Sequence, residues 1–434
     1  MFYKYPLSCL LLFVSFVTHG QDTLLLSRID SENIFLRENL ILLAEKLEIP
    51  KAEALLMQAR LWPNPTFEVE EVNLWATENQ LSVFGDELQG FNGGRFGRNQ
   101  QFSFSIEQLI LTAGKRKKSA ALEQVNLDKS HSYFEDLLRT LKVEFRHTLT
   151  HLQFLQFSLR LYEDEISVLR QLTKAYQRQV DQGNVPKGEY IRLKALELEF
   201  ARNINDLTKD INESQMELKT WMRLPANIHL VISDEDYPSV IRKIKGVTLE
   251  FLVNESKENR PDLKIAAYNQ RFFSLLHTYE RAQRIPDFSI KVGYDRGGNF
   301  MYNFVGFGIA MDLPVFNRNK GNIKYAKAGI EQSNILYSQK DLAIQNEISL
   351  AYQNLIASIQ FYESIDPGYA STLDDLLKSY NKNFINRNIS LLEFLDFLDA
   401  YLENKNIILQ AGKEINHKAE ELNYVIGSDI LSIH

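Results

Sequence analysis

The sequence predicts a mainly α-helical protein with a smaller β portion, built by running one plan twice: helix, β-hairpin, very long helix, return helix. Three observations predict it. Ala175–Leu198 has an echo in Ser379–Leu402, with Tyr176 falling on Tyr380, Glu189 on Glu393 and Tyr190 on Phe394, each 204 positions on. A direct repeat of that length signals a duplicated unit. From Leu141 to Val180 apolar residues follow three- and four-residue steps, close to the 3.5 period of a coiled coil. Four other segments alternate apolar and polar residues with a period of two, as strands with one apolar face do.

The first 20 residues read as a secretory signal. Lys4 gives the positive start, Cys9–Val17 the apolar run, and Thr18-His-Gly20 a small-residue exit near Gln21. Cys9 is the only cysteine and stands ahead of the apolar run, so a lipid-anchored cysteine at the mature N-terminus is not expected. The processed chain would hold no disulfide and no thiolate nucleophile. Over 434 residues the net charge is −7 and the pI near 5.8, which argues against a broad nucleic-acid surface. No stretch reaches the roughly 18–20 apolar residues of a membrane-spanning helix.

The first repeat spans residues 21–245 and the second 246–434. Ser31–Arg60 has helical spacing, and Pro50 predicts a kink or division there. Strands follow at about 65–75 and 99–109: Phe67 and Val69 alternate with Glu68 and Glu70, then Phe102, Phe104 and Ile106 with Ser103, Ser105 and Glu107. The intervening Gly85–Arg98 is a glycine-rich loop without the Lys-Ser/Thr ending of a phosphate cradle. A helical hairpin covers about 114–222, turning at Gln182–Gly188. If Lys115–Val180 is one helix it is about 100 Å long. Leu224–Lys245 reads as an irregular linker. In the second repeat, Val247–Ile285 is helical and strands lie at about 287–295 and 301–314. Phe288, Ile290, Val292 and Tyr294 alternate in one; Val305, Phe307, Ile309, Met311 and Leu313 alternate with Gly306, Gly308, Ala310 and Asp312 in the other. The second helical hairpin covers about 318–427, with a kink predicted at Asp366-Pro-Gly368.

Segments of 9–11 residues with one apolar face have the length and alternation of outer-membrane barrel strands. Four strands cannot stand open in lipid, because their edges would leave backbone groups unsatisfied. Even a filled barrel needs about eight strands. Several chains would each have to contribute four. A soluble protein with two hairpins packed on helices is the competing reading.

At this point the chain resembles the TolC-type outer-membrane efflux proteins. The resemblance rests on the tandem plan, on Arg60-Leu-Trp-Pro-Asn-Pro-Thr-Phe67 entering the first strand, on Gln108-Leu109 and Asp312-Leu-Pro-Val315 closing the hairpins, and on the tips Gly183–Glu189 and Arg387–Glu393. Trp62-Pro-Asn-Pro65 and Gly114-Lys-Arg-Lys117 are most similar to the heavy-metal (cobalt-zinc-cadmium) branch. The resemblance implies a homotrimer with one twelve-stranded outer-membrane barrel continuous with a periplasmic helical tunnel. It also implies a periplasmic adaptor, an inner-membrane pump of the RND type, and passive conduction without a cofactor.

Carried over by position, Gly183, Asn184, Val185, Glu189, Arg387, Asn388 and Ile389 would contact the adaptor. The family commonly has glycine at both tips, and Arg387 departs from that. The family's acidic entrance ring would fall on Glu393 and Asp396. The spacing adds Asp399 at i+6, on the same helix face, and narrow acidic rings select for cations. The first-repeat positions, Glu189 and Arg192, differ in sign, so the two hairpins are not electrostatically alike. Glu144, His147 and His151 could share a helix face, and histidines at i and i+4 can bind zinc. A duct gains nothing from holding its cargo, so no metal site is expected. Lys115–Lys118 reads as a basic cluster facing lipid heads, a lumen wall or solvent. No nucleophile–base set or metal-hydrolase motif appears, so no enzyme activity is expected. The readings left open are an export duct of the efflux or type I secretion kind, and a periplasmic coiled-coil adaptor or rod without a pore.

Overall fold

A short strand and three short helices precede the long elements in the computed structural model of the protein, which describes residues 22–75, 96–233, 244, 246–297 and 302–431. The expected signal segment, residues 85–95 of the glycine-rich loop and linker residues 234–243 lie outside the described residues. Strand β1 (Thr23–Leu26) leads into α1 (Arg28–Glu38), α2 (Leu40–Lys46) and α3 (Glu48–Ala59). The breaks fall at Asn39 and Leu47, not at Pro50. Asn39 closes α1 and opens α2, its Oδ1 accepting the amides of Ile41 and Leu42 at 3.0 Å each. Pro50 sits in the first turn of α3, where a missing N–H has no intrahelical partner to lose.

Strands β2 (Thr66–Trp75) and β3 (Phe96–Ile110) form the first hairpin. Helix α4 (Lys115–Asp181) then runs for 67 residues, about 100 Å at 1.5 Å per residue, and α5 (Lys187–Trp221) returns along it. The stretch read as an irregular linker contains β4 (His229–Ile232), which pairs in parallel with β1. Two strands alone are marginal. Here Gln156 of α4 supports β4, donating to the Leu230 carbonyl at 2.9 Å and accepting from the Ile232 amide at 3.1 Å. Gln215 of α5 accepts the Leu230 amide at 3.1 Å.

The second half continues with α6 (Leu249–Asn259) and α7 (Pro261–Ala282), two helices rather than one, with Pro261 at the start of the second. Strands β5 (Phe288–Gly297) and β6 (Tyr302–Met311) follow, then α8 (Lys320–Glu363), α9 (Tyr369–Ile385) and α10 (Leu391–Ile426). Strand β6 stops at Met311: the Val315 amide turns back to the Leu313 carbonyl at 2.8 Å, and Pro314 between them has no donor. At Asp366–Gly368 the helix is fully broken. Gly368 opens α9 at φ 86°, a left-handed conformation that suits glycine.

The two hairpins join into one antiparallel sheet, β2-β3-β5-β6. Its register puts like residues on like faces. Phe67 pairs with Ile106, Ile106 with Val292, and Val292 with Phe307, giving one apolar row across all four strands. The next row, Val69, Phe104, Tyr294 and Val305, repeats it. Val69, Phe104, Val292, Val305 and Phe307 stay exposed. The opposite face carries Glu68, Ser105, Gly293 and Gly306, with Lys291 reaching Glu68 at 2.9 Å. Among the described residues, no helix is long and apolar enough to cross a membrane.

Three apolar clusters line the helices. One gathers Phe35, Phe145, Leu152, Leu218 and Leu230; a second gathers Leu252, Ile348, Leu355, Ala419 and Leu422; a third lies by the hairpin tips. Between the first two sits Arg146, 3% exposed. Its Nε and Nη2 donate to Glu32 of α1 at 2.8 and 2.9 Å, and its Nη1 to Glu420 of α10 at 2.8 Å and Asp429 at 3.0 Å. Burial pushes the guanidinium down, but these carboxylates outweigh it and hold Arg146 well above the ordinary arginine range. One cation thus ties both chain ends to α4. Arg146→Met is expected to cost about 3–5 kcal/mol by leaving buried carboxylates unpaired, read as a lowered melting temperature of the purified protein. An unchanged melt would show that the network is incidental.

Candidate functional site at the hairpin tips

The distal ends of the two helical hairpins are packed on each other. Leu193 of α5, Phe384 of α9, and Leu391, Phe394 and Leu398 of α10 are all buried in one cluster. Through it runs an aromatic stack: Tyr176 on Phe384 at 5.6 Å between centroids, and Phe384 on Phe394 at 4.6 Å. Tyr380 stacks on Phe397 at 4.0 Å alongside.

The two turns share one hydrogen-bond scheme. In the first, the Gly183 amide donates to Val180 at 2.9 Å and the Asn184 amide to Gln179 at 2.9 Å. In the second, the Arg387 amide donates to Phe384 at 3.0 Å and the Asn388 amide to Asn383 at 2.9 Å. Both are Schellman closures with a left-handed residue after the helix. Gly183 has φ 74° and Arg387 φ 62°. The arginine therefore keeps the turn geometry that glycine has in the first tip, at the strain cost of a left-handed side-chain residue. It also gains a contact that glycine could not make: its Nη2 donates to Gln179 Oε1 at 3.2 Å, linking tip to tip.

Gly183, Asn184, Arg387 and Asn388 are exposed, and Val185, Glu189 and Ile389 half-buried. Around them Ile385, Leu392 and Ile191 leave large apolar side chains exposed. The tips are thus polar turns flanked by apolar patches. Pattern reasoning had no reason to single out these three, since each fits a helical stripe.

Glu393 has a structural task of its own. Its carboxylate accepts the Ser390 amide at 2.7 Å and the Ser390 hydroxyl at 2.9 Å, while the Glu393 amide donates back to that hydroxyl. This capping box, led by the backbone bond, holds the Glu393 carboxyl below its usual range. Asp396 and Asp399 are exposed on the same face of α10, opposite buried Phe394, Leu398 and Tyr401. Burial, then the charges of Glu199 on α5 and Asp396, push Asp399 up. Glu199 thus extends the acidic stripe onto the first hairpin, a neighbour that sequence spacing could not reveal.

A second acidic group lies higher up. Asp374 of α9 accepts the Tyr401 hydroxyl at 2.9 Å and Lys405 at 2.9 Å, stapling α9 to α10. Glu165 of α4 faces this staple. Burial, then Asp164 and Asp374, raise its carboxyl to about 7.

The structure does not assemble Glu144, His147 and His151 into a metal site. Glu144 is exposed, while His147 stacks on His417 of α10 at 4.4 Å and contacts its carbonyl at 3.2 Å. Burial, then the charge of His147, lower His417 to about 3. Among the described residues, no group of three or more histidine, cysteine, aspartate or glutamate side chains is arranged to hold a metal. The basic cluster divides: Lys117 is exposed and Lys115 turned inward. Lys115 is buried, bonded to Asp287 and to the Ile285 carbonyl at 2.7 Å each, and Lys118 donates to the Ala113 carbonyl.

Helical rod, four-stranded sheet and packed tips together make the TolC-type channel fold, and solved structures share it over nearly the whole chain. The outer-membrane channel CmeC of Campylobacter jejuni is 13% identical, with a TM-score of 0.72 over 92% of this chain and 84% of that one. CusC, whose structures are described in terms of folding and transmembrane channel formation, is 16% identical, with a TM-score of 0.69 over 92% of this chain and 91% of that one. At such identities the likeness is one of fold. In sequence, the chain is similar to the cobalt-zinc-cadmium resistance protein CzcC of Cupriavidus metallidurans, 29% identical over 154 residues. That match spans 34% of this chain and 35% of CzcC. The chain matches no protein-family model.

Two outcomes test the tip and its acidic neighbour. Arg387→Gly should be more stable than Arg387→Ala by about 1 kcal/mol, since both lose the Gln179 bond but only glycine relieves the left-handed strain. Equal thermal melts of the two variants would remove that strain from the account. Glu165 binds its proton more tightly folded than unfolded, so its folded state weakens as pH rises from about 4.5 to 7. Glu165→Gln should therefore raise the melting temperature at pH 7.5 and leave it unchanged at pH 4. A gain equal at both pH values would contradict the assignment.

Proposed function

We propose that this protein is the outer-membrane duct of a tripartite export system. The sheet carries the proposal. Two of its apolar rows cross all four strands, and that face remains exposed. Among the described residues its outer strands, β2 and β6, are each paired on one side only. In lipid those edges would leave backbone donors and acceptors without partners, at several kcal/mol each. Side-by-side copies remove the deficit, β6 of one meeting β2 of the next. Three copies give twelve strands, which agrees with the homotrimer the family resemblance implies. The polar face, with Glu68, Lys291 and small residues, would line a water-filled lumen.

The tandem repeat then has a use: each chain would supply two helical hairpins to a tunnel below the barrel, with the domain limits near residues 20 and 245. The tips Gly183–Val185 and Arg387–Ile389 would meet a periplasmic adaptor, their exposed apolar flanks giving it something to bury. The energy would come from an inner-membrane pump of the RND type, since this chain only conducts. The cargo class favoured is heavy-metal cations, on the likeness to CzcC. Three copies of Glu393, Asp396 and Asp399 around the axis would form a cation-selective ring at the entrance, consistent with a duct that passes such ions.

Detergent extraction followed by planar-bilayer recording tests the reading. The extracted protein should insert as a trimer and conduct, and polyvalent cations should block it from the tip side. Glu393→Ala with Asp396→Ala should weaken that block at least tenfold, the order expected for removing several like charges from a narrow pore. A protein that stays soluble and monomeric without detergent would sink the duct; full conductance with unchanged block in the variant would sink only the ring.

A further inference from the structure

We propose that the end of the sheet nearest the helices carries a belt selective for anionic phospholipid, of the phosphatidylglycerol type, in the leaflet it faces. This rests on the membrane-spanning reading of the sheet. The register brings three strand ends to one level, Phe288 paired with both Ile110 and Met311, and β2 begins three residues inside that level, Thr66 opposite Glu107. Ahead of β2 the chain runs on beside β3, Gln108 donating to the Pro63 carbonyl at 2.9 Å, so Leu61 and Trp62 come to the level of the residues just beyond the other three ends. The residues at that level are of two kinds. Leu61, Trp62, Ile285, Leu313, Val315 and Phe316 are exposed apolar or aromatic side chains, Phe316 fully so. Arg60, Lys117, Arg284, Arg318 and Lys320 are exposed cations within a few residues of them.

The charge is concentrated here against the trend of the chain, whose net charge is −7. Few carboxylates at this level offset it. Among the described residues there, Asp287 is paired with Lys115, Glu280 accepts from Asn319, and Asp312 is exposed. The Arg116 guanidinium lies 4.0 Å over the Trp62 ring and donates to the Arg60 carbonyl at 2.9 Å, which fixes the indole at this level. Tryptophan beside long cationic side chains is the composition that suits a bilayer's interfacial zone: the ring sits at headgroup depth, and the cations reach the phosphates. A zwitterionic headgroup offers phosphate with its own cation beside it. An anionic headgroup offers phosphate alone, so the belt discriminates by charge, and each cation near the surface favours the anionic lipid several-fold.

Trp62 supplies the readout. The protein, carrying Trp75→Phe and Trp221→Phe so that Trp62 is its sole tryptophan, is reconstituted in phosphatidylcholine vesicles with increasing brominated phosphatidylglycerol or brominated phosphatidylcholine. The brominated phosphatidylglycerol should quench at a mole fraction at least about fivefold lower. That advantage should fall below about twofold in Lys117→Gln/Arg284→Gln/Arg318→Gln/Lys320→Gln. Equal quenching by both lipids overturns the belt and leaves the membrane reading standing; no quenching by either overturns both. Should the tryptophan background fail to fold, native mass spectrometry of the protein with its own tryptophans decides the same point. Retained phosphatidylglycerol, lost in the four-fold variant, supports the belt; indifference to the headgroup overturns it.

Discussion

A 67-residue helix cannot bury its own apolar stripe, and that constraint organises everything else. Along α4 the buried apolar residues begin with Leu122 and Val125, pass through Leu141, Phe145, Leu149 and Leu152, and reach Ile166, Leu169 and Leu172. Covering a stripe about 100 Å long takes partners in series. Helices α3 and α7 pack near its upper part, α5 and α10 along its lower course. The rod is stable only as the shared wall of several helices, so most of its hydrophobic stabilisation lies in contacts distant in sequence.

Polar groups fix the register of that packing. Apolar stripes with heptad-like spacing can slide past one another by a turn at modest cost, whereas Arg146 finds Glu32, Glu420 and Asp429 in one position only. Arg260 does similar work for the second half. It grips Asp262 through two bonds of 2.9 and 2.6 Å and reaches Glu347 and the Val425 carbonyl, beside the point where Gly427 ends α10 against its backbone. These clusters contribute alignment more than net stability, since buried ion pairs return little beyond their desolvation cost.

The mainly helical class and the alternating strands were legible because each is written in a local period: 3.5 along α4, 2 along the sheet. What stayed hidden depends on residues far apart or on unusual backbone. The β1–β4 pair joins positions about two hundred residues apart and survives on the side chains of Gln156 and Gln215. The division at Asn39 is legible in principle from its capping side chain, yet it lies within an apolar-periodic run in which Pro50 is the stronger breaker by residue type. Arg387 could not announce a left-handed backbone, because glycine is the residue that signals one. Arg146 and Glu165 sit in a heptad flank, where charge ordinarily means solvent. At the tips the turn residues could be picked out from the polar break, whereas the Ser390 cap on Glu393 and the reach of Arg387 to Gln179 emerged only in three dimensions.

The break before Gly368 has a mechanical consequence. Helix α4 runs unbroken from the sheet to its tip, so the first hairpin has a stiff strut. The second has a joint, and below it α9 is a lever of 17 residues, roughly 25 Å long. A 10° turn at the joint would sweep its lower end through about 4 Å, by the same geometry. Any such swing would first have to part the Arg387–Gln179 bond and unstack Phe384 from Tyr176. Strut, joint and catch are thus divided between the two hairpins, and the second has both the joint and the arginine that would restrain it.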